Sequence, residues 1–209
     1  MPRVKQRTPE LREHVLRVAI SMLESDGVAA FTARRIADQA ATSMPAVYEL
    51  FGDKAGLVRA LFFEGFRLLR QQLDGLAISD SARADLLAML ALYRRFAREN
   101  RMLAEVMFSR PFADFDPQPA EQKAGSEVRK FIVGQVRRCI EAGVLAGDET
   151  DIAHVLLALA QGLATQESAG WLGSSRASIE RRWKLAIEAA LTGLAPAVAR
   201  TGHVQASRS

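Results

Sequence analysis

Apolar residues recur along this chain at intervals of three and four, the spacing that lays them on one face of a helix. The first such stripe is Leu11, Val15, Val18, Ala19, Met22 and Leu23. Thr8 stands where it can cap that helix. Pro9 falls in the first turn, where its missing N–H removes no bond, and Gly27 is a natural stop. A second, short helix is predicted from Thr32 as N-cap, carrying Ile36, Ala37 and Ala40. A third is predicted from Ser43, with Pro45 in its first turn, ending near Phe51. Gly52-Asp53 breaks the pattern, and Asp53 caps a longer fourth helix through Leu57, Leu61, Phe62 and Leu68 to about Leu73. Alternating Val, Ile and Thr runs are absent, so the fold class is all-α.

Beyond residue 76 the same period predicts helices over roughly 80–98 (Leu86, Leu87, Leu90, Tyr93, Phe96) and 100–109 (Met102, Leu103, Val106, Met107). Pro111, Pro117 and Pro119 mark Arg110–Pro119 as a loop. Three further helices follow over 119–143, 148–169 and 175–193, the last capped by Ser175 or Ser178 and striped by Ile179, Trp183, Ala186, Ile187, Ala190 and Leu191. The expected domains are a helix-turn-helix unit over 1–56, a helical unit over 57–195 and a small, polar tail over 196–209.

Composition narrows the class without naming a function. The chain has 209 residues, 49% hydrophobic and 25% charged, an ordinary balance for a folded protein. Its net charge of +4 leans weakly toward an anionic partner. Arg3, Lys5 and Arg7 precede the first acid, Glu10, and form either a basic arm or a solvated tail. Cys139 is the single cysteine, so no internal disulfide is possible; its apolar neighbours predict a buried, inert thiol. No apolar run is long enough to span a bilayer and no signal-peptide core stands at the N-terminus, so the expected location is the cytoplasm, without membrane attachment.

The informative stretch runs from Phe31-Thr32-Ala33-Arg34-Arg35-Ile36-Ala37 to Ser43-Met44-Pro45-Ala46-Val47-Tyr48-Glu49-Leu50-Phe51-Gly52-Asp53-Lys54. Two short helices joined by a tight turn are how a helix-turn-helix reads in sequence. These residues resemble the TetR family of transcriptional regulators. The family's DNA-binding unit has a Thr-led second helix with Ile-Ala, a short third helix with a Tyr and an aromatic three residues on, and a Lys opening the fourth. The chain departs from that pattern at Ala41, where the family usually has Gly, and at Glu49 and Leu50, where an aromatic or His is common. Ala41 alters the turn if its position needs a positive φ.

The residue chemistry agrees with the resemblance. Thr32 and Ser43 cap helices whose free N–H groups can meet a phosphate. Lys54 opens a helix, where a cation opposes the macrodipole unless it faces an anion. Val47 and Phe51 mark the buried side of the third helix, which leaves the Tyr48 hydroxyl for a phosphate oxygen. Arg34 and Arg35 are adjacent, so one faces DNA and the other is a solvated charge. At the end that enters the major groove, Ser43, Met44, Pro45 and Ala46 offer no bidentate base partner; apolar contact with thymine methyls is one way to read bases, Glu49 accepting from a cytosine amino group (against a solvated or ion-paired role) is another, and groove shape with the Arg3–Arg7 arm is a third.

The resemblance also implies a homodimer on palindromic double-stranded operator DNA, formed by helices 148–169 and 175–193. Ala158-x-x-x-Gly162 would permit close approach there; the competing reading is packing within one chain. It implies as well a small-molecule effector, as yet unidentified and hydrophobic, enclosed by helices between residues 57 and 169. Its lining would draw on Phe62, Phe66, Tyr93, Phe96, Met102, Met107, Phe108, Phe131, His154 and Gln161. Repression is the family default. Catalysis is not expected: there is no Gly-rich phosphate loop, Gly-x-Ser-x-Gly, His-Glu-x-x-His or Cys-x-x-Cys, and His14, His154 and His203 stand far apart. No cofactor or metal is implied. The rival reading is a helical ligand-binding or interaction module without DNA binding, which the acidic, Arg- and Lys-free third helix would suit.

Overall fold

The computed structural model describes residues 8–108 and 119–197. The Arg3–Arg7 arm, most of the expected Arg110–Pro119 loop and nearly all of the tail therefore lie outside the described residues. Those described form nine helices and no strand: α1 Pro9–Ala30, α2 Ala33–Gln39, α3 Met44–Phe51, α4 Lys54–Asp74, α5 Ala82–Glu99, α6 Arg101–Phe108, α7 Pro119–Glu141, α8 Glu149–Ser168 and α9 Arg176–Gly193. The all-α expectation holds, and each predicted helix is present within a few residues of its expected ends. One boundary differs. Gly27 takes φ 73° and ψ −178°, which interrupts α1 where the helix was expected to stop, and helical backbone resumes to Ala30.

The chain divides into two compact units, Met1–Leu69 with Glu99–Gly125, and Arg70–Arg98 with Ser126–Ser209; the boundaries fall within α4, at the last residue of α5 and within α7. In the first unit Val15, Leu16, Ala19, Met22 and Leu23 of α1 meet Ile36 and Ala37 of α2 and Val47 of α3 in a shared apolar core. Each buried Val, Leu, Ile or Met there contributes about 1.5–3 kcal/mol, which is what holds helices too short to persist alone. α6 is tied to α1 by a polar contact. Glu24 accepts from the N–H groups of Met102 (3.2 Å) and Leu103 (2.8 Å), free donors of α6's first turn. Gly65 of α4 lies so close to α6 that a Cβ there would stand 2.4 Å from Met107 Sδ.

In the second unit Leu86, Phe96, Val136, Cys139, Leu145 and Leu156 are fully buried. The Cys139 thiol is raised by burial and donates to the Ala82 carbonyl (3.3 Å), in keeping with an inert core residue. Asp85 receives the Ser79 hydroxyl (2.7 Å) and Arg138 (2.6 Å), which hold its carboxyl below the usual range. Ser175 caps α9 in a reciprocal box with Ser178. Trp183 is only 5% exposed; its Nε1–H donates to Glu167 (2.7 Å) and Arg94 stacks over its ring at 5.0 Å. The stripe Trp183, Ile187 and Leu191 is thus buried within the chain. The exposed sides of α8 and α9 carry Val155 and Leu185 instead.

Candidate nucleic-acid interface

Thr32 has extended backbone, and its hydroxyl accepts from the Arg35 N–H (3.3 Å), fixing the start of α2. Ile36 and Ala37 are buried, so the N-terminus and outer side of α2 are what remain accessible. Arg34 and Arg35 are both exposed. Arg35 pairs with Asp26 of α1 at 2.5 Å. The Asp26 carboxyl is held below its ordinary range first by the Ser25 hydroxyl and then by Arg35. The pair of arginines is thereby divided: Arg35 is bound to α1, and Arg34 forms no ion pair among the described residues.

The turn after α2 closes with two bonds. The Ala41 N–H donates to Asp38 O (3.2 Å) and the Thr42 N–H to Ala37 O (2.9 Å), the pattern of a helix ending in a left-handed residue. That residue is Ala41, at φ 49°, the one non-glycine with positive φ among those described. The position where the TetR pattern has Gly does need positive φ. A Cβ is carried there at a cost of about 1–2 kcal/mol.

Ser43 opens α3 with extended backbone, and its hydroxyl accepts from the Ala46 N–H (3.2 Å). Val47 and Phe51 face the core, and the Arg12 guanidinium covers the Phe51 ring at 5.3 Å. The buried side chains of the helix therefore lie on one side. Met44, Pro45, Tyr48 and Glu49 are exposed on the other, with Ala46 half-buried. Gly52, at φ 81°, ends α3, and Asp53 Oδ1 caps α4 by accepting from the Gly56 N–H (2.7 Å). A Cβ on Gly56 would fall 1.8 Å from the Phe51 carbonyl oxygen, so only glycine permits this tight corner. It leaves Lys54 exposed in the first turn of α4.

All nine expected DNA-facing residues (Thr32, Arg34, Arg35, Ser43, Met44, Pro45, Ala46, Tyr48, Lys54) thus lie on α2, α3, their two N-caps and the first residue of α4, within the first unit. The expected effector lining divides between the units. Phe62, Phe66, Met102, Met107 and Phe108 belong to the first, where the Phe62–Phe66 rings lie 5.0 Å apart and Phe66–Phe108 5.8 Å. Phe63, which sequence reasoning passed over, joins them at 4.9 Å from Phe62. In the second unit Tyr93 and Phe96 are packed in the core, and Phe131 lies beneath Arg70. Gln161 is half-buried there, and His154 is exposed with Nδ1 2.8 Å from Thr150 O.

Comparison with known proteins places the chain. Residues 15–61 match the bacterial regulatory proteins of the tetR family, and residues 86–190 match the tetracyclin repressor-like C-terminal domain. The chain belongs to the TetR family. It is a ligand-responsive transcription regulator with a helix-turn-helix DNA-binding unit, and not an enzyme. A protein of unknown function from Rhodococcus sp. RHA1 is similar at 29% identity and TM-score 0.76, over 92% of this chain and 99% of that one. A tetR-family regulatory protein from Rhodococcus RHA1 shares the fold at 19% identity and TM-score 0.65, covering 91% and 100%. The regulator FadR from Bacillus subtilis, in complex with stearoyl-CoA, shares it at 13% identity and TM-score 0.70, covering 87% and 98%. No curated protein matches the chain. Among the described residues no helix is long and apolar enough to cross a membrane.

Proposed function

We propose that this regulator is a cytoplasmic repressor that binds a palindromic operator as a homodimer and leaves it when a small hydrophobic effector binds. The observation that carries this reading is the outward face of α2 and α3. Capped helix starts at Thr32 and Ser43, the exposed Arg34 and Lys54, and the Tyr48 hydroxyl accompany exposed apolar residues on a helix whose buried side chains lie on its other side. In this reading Thr32, Arg34, Tyr48 and Lys54 hold phosphates while Met44, Pro45 and Ala46 meet base edges. Ser43 orients α3, and Arg35, tied to Asp26, steadies α2. The helix-turn-helix domain is taken as 1–56, the effector and dimerisation domain as 57–195, and 196–209 as a tail.

For the effector, the half-buried rings Phe62, Phe66 and Phe108 beside Met107 favour an apolar ligand. Met102, Phe131 and Gln161 are further half-buried candidates, whereas Tyr93 and Phe96 would have to yield from the core, and His154 would act from an exposed position. The stearoyl-CoA bound to the Bacillus subtilis regulator is consistent with an acyl-like effector class.

The test is a salt titration of binding to a duplex enriched by the full chain from a random-sequence pool. Affinity should fall steeply as salt rises. Lys54→Ala should weaken binding to every duplex alike and flatten the salt slope by about one unit per contacted half-site. An unchanged slope removes Lys54 from the phosphate contacts, and failure of any duplex to bind overturns the operator reading itself.

A further inference from the structure

The base-reading side of α3 has an unusual composition. Its eight residues, Met44–Phe51, include no Arg, Lys, Asn or Gln, the side chains that make bidentate pairs with guanine or adenine. Pro45 has no N–H, and the Ser43 hydroxyl already accepts from Ala46. Beside the carboxylate of Glu49, what the helix exposes is mainly apolar surface: Met44 is 39% and Tyr48 40% exposed, one turn apart. Exposed large apolar side chains are few among the described residues, and two of them stand on this one short helix.

We infer that α3 selects DNA through pyrimidine C5 methyl groups in the major groove, with Met44 as the residue that covers them. This rests on the operator reading above. Thymine is the one ordinary base that presents a methyl in that groove. A thioether side chain is flexible and polarizable enough to settle against it. The same contact discriminates against C·G pairs, because an unmethylated cytosine edge presents an amino group for which the Met44 sulfur is only a weak acceptor and which Met44 would shield from water. Cations at Arg34 and Lys54 supply the attraction to the duplex without sequence information, which leaves the choice of bases to the apolar patch. 5-Methylcytosine carries the same methyl, so the inference extends to cytosine methylation under α3.

The experiment uses the full chain and a duplex enriched from a random pool, prepared with thymine and again with uracil, which lacks only the methyl. Uracil under α3 should weaken binding about fourfold per contacted methyl, the factor that follows from about 0.8 kcal/mol for burying a group of that size. Met44→Ala should bind the two duplexes alike, because the cycle isolates the pair. Exchanging a contacted T·A pair for C·G should weaken binding, and methylating that cytosine should recover part of the loss. Equal wild-type affinity for the thymine and uracil duplexes overturns the inference while leaving operator binding intact. A full uracil effect retained in Met44→Ala overturns the role of Met44. If no duplex is enriched, the operator reading fails and this inference with it.

Discussion

At the scale of single residues, Ala41 is where sequence and backbone disagree most openly. Its φ of 49° is a conformation that glycine adopts freely and alanine resists. Ala41→Gly should therefore stabilise the fold by roughly 0.5–1 kcal/mol, the relief of strain less the extra entropy glycine loses on folding. For a chain of this size that is about 2 °C in the thermal midpoint. Scanning calorimetry of both proteins decides it: an unchanged or lowered midpoint means that the turn carries no strain. This feature was legible beforehand, because a known turn position held the wrong residue. Gly56 was not. Nothing local in Asp53-Lys54-Ala55-Gly56 reveals that the Phe51 carbonyl would lie where a Cβ belongs, since that proximity is set by how α3 and α4 meet.

Among the helices, the short ones show how local signals and distant partners divide the labour. α2 and α3 begin at Thr32 and Ser43, and α9 at Ser175, because each hydroxyl accepts from a backbone N–H three residues on. Those starts can be read from sequence. α6 has a different arrangement: its first-turn donors are satisfied by Glu24, 78 and 79 residues earlier in the chain, and no window of sequence contains both ends of that contact. An eight-residue helix is marginal alone, so this carboxylate matters to it. Glu24→Ala should cost about 1–2 kcal/mol, the loss typical of a helix cap, with Glu24→Gln falling between. Denaturant unfolding measures the total. Hydrogen exchange at Met102 and Leu103 localises it, and exchange there no faster than in the wild type would show that α6 does not depend on the contact.

For the whole molecule, what matters is which apolar surface the chain keeps for itself. The sequence marks α8 as apolar on more than one side and gives α9 a stripe of its own, but does not say which surface is buried within the chain. Trp183 illustrates the difficulty: in sequence it suits an intersubunit contact, yet it is enclosed with Glu167 and Arg94 of the same unit. The surface left over includes Val155, 51% exposed on α8, and Leu185, 70% exposed on α9, on the two helices through which we propose the copies pair. A test of pairing belongs at Leu185, because a change at Trp183 would damage the fold whether or not a partner is present. Leu185→Arg places a desolvated charge in any such interface and leaves an isolated chain almost untouched. The variant should sediment as a monomer at concentrations where the wild type is a dimer, with its helical circular dichroism unchanged. Its salt slope on the enriched duplex should be about half the wild-type value, since one half-site's phosphates remain contacted. A variant that still sediments as the wild-type dimer would remove Leu185 from the interface, and a monomeric wild type would remove the interface altogether.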